Sequence, residues 1–221
     1  RPTRDSAVYD VFADRRDAGR QLGAAVASLI GTQPAVVLAL PRSGVSVGAE
    51  VADALGCPLD VLVVRKIGVP GHRELAMGAL AGGTVVRNDE VIASVGIDVA
   101  TFDRVADQER AVARAREQAY RGVHETVPLT GRTAIVVDDG LATGATARAA
   151  LTALRAREEN RPARVVLAVP VAPPDTLDLL AELCDDVVCL RRPRDFFAVG
   201  AWYSDFTQVD DAEVERLLQR R

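Results

Sequence analysis

Several residue types are scarce in this chain, and each shortage argues against a class of protein. The three cysteines (Cys57, Cys184 and Cys189) are odd in number and have no C-x-x-C spacing. They indicate reduced thiols in a cytoplasmic protein rather than a disulfide framework or a cysteine metal site. No apolar run reaches the length of a membrane span, and no signal peptide is visible. The net charge of −4 provides no overall basic field to hold nucleic acid.

Lysine and aromatic residues are also rare. Lys66 is the only lysine among 27 basic residues, which indicates either a specific need for a compact, mobile cation or chance. Aromatic residues make up only 4% of the chain, yet five of them lie within residues 192–206. Because the sequence begins at Arg1, we expect an initiator and further residues to precede it.

The 221 residues suit one domain with a small subdomain. Apolar runs typical of strands buried on both faces alternate with helical periodicity, which predicts an α/β fold with a doubly wound, mostly parallel sheet flanked by helices. The predicted strands are residues 35–40, 59–64, 84–87, 133–137, 164–169 and 186–190. The predicted helices are residues 14–30, 44–55, 88–96, 98–121, 145–157, 174–183 and 210–219. Residues 66–83 hold five glycines and predict a loop or a hairpin.

One stretch, residues 134–150, joins a strand, two acids, a small-residue loop and a helix; it reads AIVVDDGLATGATARAA. Two neighbouring carboxylates, Asp138 and Asp139, can accept hydrogen bonds from a vicinal diol such as that of a ribose. Small side chains let the loop N–H groups approach an anion, and the next helix points its positive end at the same place. The loop comprises Gly140, Leu141, Ala142, Thr143, Gly144, Ala145 and Thr146. This order of elements predicts a sugar-phosphate site.

Two other interpretations of the stretch are weaker. The P-loop of NTPases requires a lysine after its second glycine, whereas Gly144 is followed by Ala145 and Thr146. The loop therefore suits one phosphate monoester better than a triphosphate. The plainer alternative is an acidic turn before a helix that Thr143 caps.

Residues 136–146, VVDDGLATGAT, resemble the motif with which type I phosphoribosyltransferases bind 5-phosphoribosyl 1-pyrophosphate (PRPP). The resemblance implies transfer of the 5-phosphoribosyl group to a nitrogenous base, with a purine-like base favoured and pyrophosphate released. It also implies Mg²⁺ as the cofactor, with Asp138 and Asp139 as its ligands. We expect small-molecule substrates, a homodimer, and neither nucleic acid nor a membrane as partner.

Ligands of such sheets bind beyond the carboxyl ends of the strands, and further loops should converge there. The first contains Arg42, Ser43 and Gly44 directly before a helix, and could hold a pyrophosphate. It resembles the pyrophosphate loop of the same family, which implies a non-proline cis peptide at Pro41–Arg42. An ordinary strand-to-helix turn is the alternative.

The second loop begins at Arg65 and Lys66, which we expect to hold the pyrophosphate together with Arg42 and Ser43, and it contains Glu74. Its glycines suit a lid over residues 66–83, and the loop resembles the flexible loop of adenine phosphoribosyltransferases. Glu74 is a candidate acid or base toward the acceptor, although a solvated surface acid fits equally well.

The third loop, residues 192–206, concentrates the aromatic residues. It resembles the base-stacking hood of hypoxanthine-guanine phosphoribosyltransferases, with Phe197 and Val199 matching the pattern. This implies a core over residues 1–190 and a small hood with a C-terminal helix over residues 191–221. The alternative is a buried aromatic anchor for the C-terminal helix.

The resemblance also has gaps. The 6-oxopurine enzymes carry an Asp where this chain has Ala142, and residues 169–175 lack their base-reading Lys. The identity of the acceptor base therefore stays open. A PRPP- or nucleotide-sensing protein without catalysis is an alternative function. Ser46 lies in a G-x-S-x-G sequence like that of serine hydrolases, a remote alternative because the predicted strand ends about six residues earlier.

Overall fold

The computed structural model describes residues 10–219, which include eight strands and seven α-helices. The strands are β1 (Ala35–Ala39), β2 (Leu59–Val61), β3 (Val64–Val69), β4 (His72–Ala81), β5 (Thr84–Arg87), β6 (Thr133–Val137), β7 (Arg164–Val171) and β8 (Asp186–Arg191). The helices are α1 (Arg15–Ile30), α2 (Gly44–Leu55), α3 (Asp89–Val95), α4 (Val99–Arg121), α5 (Ala145–Arg155), α6 (Pro174–Ala181) and α7 (Asp211–Gln219). The outer parts of the predicted core and hood, residues 1–9 and 220–221, lie outside the described range.

The central sheet is parallel and has the order β2-β1-β6-β7-β8. Strands β1 and β6 are buried along their whole length, as expected of strands that are apolar except for Thr133. Their register pairs Ala35 with Thr133 and Ala39 with Val137. Both strands therefore end at the same level, and the loops that follow them start side by side.

Helices cover both faces of this sheet, so the prediction of a doubly wound sheet is confirmed. On one face, side chains of α1, α2, α4 and α7 form a cluster with β1 and β6 that includes Leu22 and Val51. On the other face, α5 and α6 contribute Leu151 and Leu177 to a second cluster. Within residues 10–219, no helix is both long and apolar enough to cross a membrane.

A second sheet, antiparallel and in the order β3-β4-β5, accounts for the glycine-rich segment. The sequence predicted a loop or a hairpin here, and the structure has a hairpin whose turn lies at Pro70 and Gly71. Ile67 and Met77 of this sheet pack against Phe102 of α4 and Ile92 of α3 in a separate core. The segment is thus a packed subdomain.

One predicted strand, residues 59–64, is divided between the two sheets. Leu62 and Val63 are buried, which explains why the apolar run of residues 61–64 continues past the end of β2. However, Leu62 N–H donates to Ala39 O, whereas Val63 N–H donates to a carboxylate oxygen of Glu117 on α4. The chain therefore leaves the central sheet here and enters the hairpin.

Candidate functional site

The loop that follows β6 is hydrogen-bonded to the rest of the protein on its inner side and exposed to solvent on its outer side. Leu141 is buried and donates its N–H to Val171 O at 3.0 Å, and Thr176 Oγ1 donates to Ala142 O at 2.8 Å. Four loop side chains are instead exposed to solvent, namely those of Ala142, Thr143, Ala145 and Thr146. The loop therefore has a fixed backbone and an accessible outer surface.

The N-terminus of α5 opens into this loop. Its N-cap residue is Gly144, with φ 74°, and no side chain caps the helix there. The expected alternative of a cap at Thr143 is not the arrangement found, although Thr143 Oγ1 accepts a long bond of 3.4 Å from Ala145 N–H. Because the first N–H groups of a helix have no intrahelical acceptor, this end offers donors to an anion.

The loop after β1 lies directly against the acid pair. A Cβ atom at Gly44 would lie 2.8 Å from Val137 O and 3.2 Å from Asp138 Oδ1, so only glycine fits this approach. Ser43 is the N-cap of α2, and its side chain makes no capping bond. The peptide bond between Pro41 and Arg42 is cis, as predicted. Two helix N-termini and two carboxylates thus meet at one edge of the sheet.

Asp139 is engaged by residues that the sequence motif does not contain. Arg15, the first residue of α1, donates from Nε to Asp139 Oδ2 at 2.9 Å, and both side chains are about nine-tenths buried. The backbone carbonyl of Asp139 accepts a hydrogen bond from the Tyr203 hydroxyl. Asp139 N–H in turn donates to Asp138 Oδ1 at 2.8 Å.

The two carboxyl groups influence each other strongly. Burial, followed by the neighbouring charge of Asp139, raises the pKa of Asp138 well above its ordinary value. Arg15 opposes this shift because its positive charge favours the ionised form. The acid pair therefore resists carrying two negative charges on its own, and it would favour a ligand that brings positive charge or hydroxyl donors to Asp138.

The predicted pyrophosphate residues are less closely grouped. The Arg42 side chain is exposed, and its Nη1 lies 4.0 Å from Asp211 Oδ1 on α7. Arg65 Nε pairs with Glu109 Oε2 of α4 at 2.8 Å. Lys66 Nζ donates to Glu74 O at 3.2 Å. A groove of about 540 Å³ between the hairpin and α4 is lined by both Arg65 and Lys66.

Glu74 lies near the tip of the hairpin, where its exposed carboxylate is 3.4 Å from His72 Nδ1. Its role toward an acceptor stays a prediction.

The aromatic segment divides into an anchor and one projecting ring. Trp202 and Tyr203 are buried with Phe12 and Val171, so the anchor holds the segment to the start of α1 and to β7, not to the C-terminal helix. Phe197, by contrast, is 94% exposed. Val199, which begins a short 3-10 helix (Val199–Trp202), packs against Gly140.

The hydrolase alternative fails on geometry. Ser46 is the third residue of α2 and is buried, whereas a nucleophile elbow presents its serine at the strand-to-helix turn. Both histidines, His72 and His124, are exposed; one is at the hairpin tip and the other follows α4.

Sequence reasoning missed the residues that support the acid pair from a distance. Arg15 and Tyr203 reach it from the two ends of the described chain, and Thr176 supports the loop from α6. No local pattern marks Arg15, since it is one of two arginines at an otherwise ordinary helix start. The aromatic cluster was the one available signal, and it identified Tyr203 only as a member of a group.

The residues present fit Mg²⁺ bound together with a ligand. Within residues 10–219, no cluster of three or more His, Cys, Asp or Glu side chains could hold a metal ion, so a closed protein site is not available. Mg²⁺ commonly uses one or two carboxylates plus the oxygens of a phosphorylated substrate. Asp138 and Asp139 supply such hard oxygen donors beside the anion-binding loop.

The acid pair and the open anion-binding loop lie at the carboxyl edge of a parallel α/β sheet, which is where ligands of such sheets bind. A family model for the phosphoribosyl transferase domain matches residues 13–204. The chain belongs to this family, as the motif of residues 136–146 predicted.

Known relatives agree with this assignment. Two proteins from Mycobacterium tuberculosis, strains CDC 1551 and H37Rv, are each 48% identical to it over 211 residues; their names give phosphoribosyl transferase activity only provisionally. The match covers 95% of this chain and 47% of each relative, so the chain spans about half the length of the curated relatives it matches. The crystal structure of TT1426 from Thermus thermophilus has a TM-score of 0.83 and 44% identity, covering 95% of this chain and 98% of that one.

Proposed function

We propose that the protein transfers the 5-phosphoribosyl group of PRPP to a nitrogenous base, with a purine-like base favoured and with Mg²⁺ as cofactor. One observation carries the proposal: Gly44 brings the loop after β1 into contact with Val137 and Asp138. This contact joins two anion-binding helix ends to one acid pair. A sugar with a phosphate at one end and a pyrophosphate at the other has one anion for each helix end and hydroxyl groups for the acid pair.

The binding roles follow from the chemistry of each group. The 5-phosphate accepts hydrogen bonds from the N–H groups of the loop 140–146 and from the Thr143 and Thr146 hydroxyls. The ribose hydroxyls donate to the carboxylates of Asp138 and Asp139. The pyrophosphate lies toward the loop 41–44 and Arg42. Arg65 and Lys66, which line the groove between the hairpin and α4, would reach it on closure of the hairpin sheet. Mg²⁺, when bound to the two aspartates and the ligand, would neutralise charge on the leaving pyrophosphate.

The reaction breaks the bond between the anomeric carbon and pyrophosphate and forms a bond from that carbon to the acceptor nitrogen. Positive charge develops on the sugar as the bond breaks, and the adjacent carboxylates of Asp138 and Asp139 stabilise it. Phe197, whose ring is free of protein contacts on most of its surface, supplies a face for stacking the acceptor beside Val199. Glu74 is the candidate base for the proton that the acceptor loses.

The lid would have to move as a packed unit. Because β3, β4 and β5 share a core with α3 and α4, closure over the site requires rotation of the hairpin sheet rather than ordering of a loose loop. Exclusion of water in this way protects the developing cation from hydrolysis.

A screen for PRPP-dependent pyrophosphate release tests the proposal across purines, pyrimidines and small amines. Release with one class of base and Mg²⁺ is expected, and the Asp138→Asn variant is the matched control without activity. PRPP binding with no release across all acceptors would instead favour the sensing protein, and absence of PRPP binding would remove both. Size-exclusion chromatography with light scattering checks the expected homodimer.

A further inference from the structure

We propose that Arg15 is the positioning residue of the acid pair: it holds Asp139 so that Asp138 lies toward the anion-binding loops. This inference rests on the proposed function. It assigns a role to the first turn of α1, which lies 124 residues away in sequence from the acid that it contacts.

The contacts of Arg15 leave it little freedom. Its Nε donates to Asp139 Oδ2 at 2.9 Å and its Nη1 donates to Thr207 O at 2.6 Å. The Phe206 ring lies 4.0 Å from the guanidinium carbon. A planar guanidinium held by two directed bonds and an aromatic face fixes the orientation of its carboxylate partner better than a mobile ammonium could.

The start of α1 is itself fixed. Asp14 caps the helix by accepting a hydrogen bond from Asp17 N–H at 2.8 Å. Backbone bonds from Phe12 N–H to Trp202 O and from Ser204 N–H to Phe12 O join this region to the aromatic segment. Arg15 therefore projects from a backbone that is anchored on both sides.

The link continues from Asp139 to the ligand-facing acid. Asp139 N–H donates to Asp138 Oδ1, and Asp138 Oδ1 is the carboxylate atom that Gly44 approaches. Two carboxylates this close repel each other unless a cation compensates. Arg15 supplies that charge at Asp139, whose side chain is about nine-tenths buried, whereas Asp138 keeps partial exposure for the sugar hydroxyls.

Calorimetry with two probes separates positioning from folding. Ribose 5-phosphate requires both the acid pair and the loop 140–146, whereas inorganic phosphate requires only the loop. Arg15→Gln should weaken ribose 5-phosphate by about 10- to 100-fold, the usual effect of removing a group that orients a ligating residue, and leave phosphate affinity within about twofold of wild type. The matched control is Arg16→Gln, which removes a neighbouring arginine paired with Glu50 at the surface, and should change neither affinity.

A double-mutant cycle tests whether Arg15 acts through Asp139. In the Asp139→Asn background, Arg15→Gln should have almost no further effect on ribose 5-phosphate affinity. An undiminished effect there, wild-type affinity in Arg15→Gln alone, or an equal loss of both probes would each overturn the inference while leaving the proposed function in place.

If Arg15→Gln does not fold, Arg15→Lys replaces it, because lysine keeps the positive charge without the planar guanidinium. Arg15→Lys should lose ribose 5-phosphate affinity while it retains phosphate affinity. Wild-type affinity of Arg15→Lys for both probes would overturn the inference. If the wild-type protein binds neither ribose 5-phosphate nor PRPP, the proposed function fails, and the role of Arg15 fails with it.

Discussion

Val199 lies against Gly140, so the segment after β8 closes one side of the anion-binding loop. A Cβ atom at Gly140 would lie 2.6 Å from Val199 Cγ1 and 3.0 Å from Val171 Cγ1, and Gly140 has a φ of +156°. Gly140→Ala should therefore destabilise the protein by about 1–3 kcal/mol through overpacking, measured by urea denaturation. Adding Val199→Ala should recover part of that loss, and no recovery would show that Val199 is not the obstacle.

The two aspartates should respond differently to the same change. Asp139→Asn leaves the buried guanidinium of Arg15 without its ionic partner and should cost about 3 kcal/mol of unfolding free energy. Asp138→Asn removes a carboxyl group whose pKa burial and Asp139 have raised, so it should be neutral or slightly stabilising at pH 7. Chemical denaturation of both variants measures the difference.

The Asp138→Asn variant also tests function, by calorimetry with PRPP. Asp138→Asn should abolish binding in a protein that is folded by circular dichroism, because it removes the ligand-facing carboxylate. Unchanged PRPP affinity in Asp138→Asn would remove the ribose assignment. If Asp138→Asn destabilised the protein more than Asp139→Asn, the division of roles between the two acids would be wrong.

Much of the fold could be predicted because local signals agreed with the tertiary structure. The predicted helix 44–55 and the predicted strands 84–87 and 133–137 have the observed bounds, since periodicity and turn residues mark both of their ends. The strand predicted over residues 59–64 was wrong at its end. Leu62 and Val63 are as buried as the strand before them, and hydropathy does not distinguish two sheets.

The loops of the site could be predicted but their supports could not. Asp138 and the loop 140–146 lie in one continuous motif, and Gly44 follows a recognisable strand. Arg15 and Tyr203 reach Asp139 only through the packing of α1 and of the aromatic segment on the sheet. Contacts at such separations leave no periodic trace in one sequence.

Stability should depend on pH through Glu117, a buried carboxyl group on α4. Burial is the main cause that raises its pKa above 4.5. Because the folded state binds this proton more tightly, the contribution of Glu117 is fully present below its unfolded pKa and is lost as pH rises through the folded pKa. Wild-type unfolding free energy, relative to Glu117→Gln, should therefore fall as pH rises above 4.5.

Asp98 provides a control of opposite sign in the same helix. It caps α4 by accepting from Thr101 N–H, which lowers its pKa below 3.8. Its contribution is present above the unfolded pKa and is lost as pH falls through the folded pKa. Relative to Asp98→Asn, the wild-type protein should lose stability toward low pH. Urea titrations of wild type and both variants between pH 3 and 7, about the range in which carboxyl groups titrate, give the unfolding free energy as a function of pH. If wild type and both variants had the same slope of unfolding free energy against pH, both assignments would be contradicted.

Lys66 should matter for turnover far more than for stability. Its side chain is exposed and its one described hydrogen bond, to Glu74 O, is 3.2 Å long, so Lys66→Ala should change unfolding free energy by less than about 0.5 kcal/mol. Loss of a charged contact to the leaving pyrophosphate should nevertheless lower kcat/KM for PRPP by about tenfold or more. Lys66→Arg retains charge but replaces a compact ammonium with a planar fork, and should recover only part of the rate. Arg216→Ala, which removes an exposed arginine paired with Glu213 on α7, is the matched control; if Lys66→Ala were as active as this control, the single lysine of the chain would have no part in the reaction.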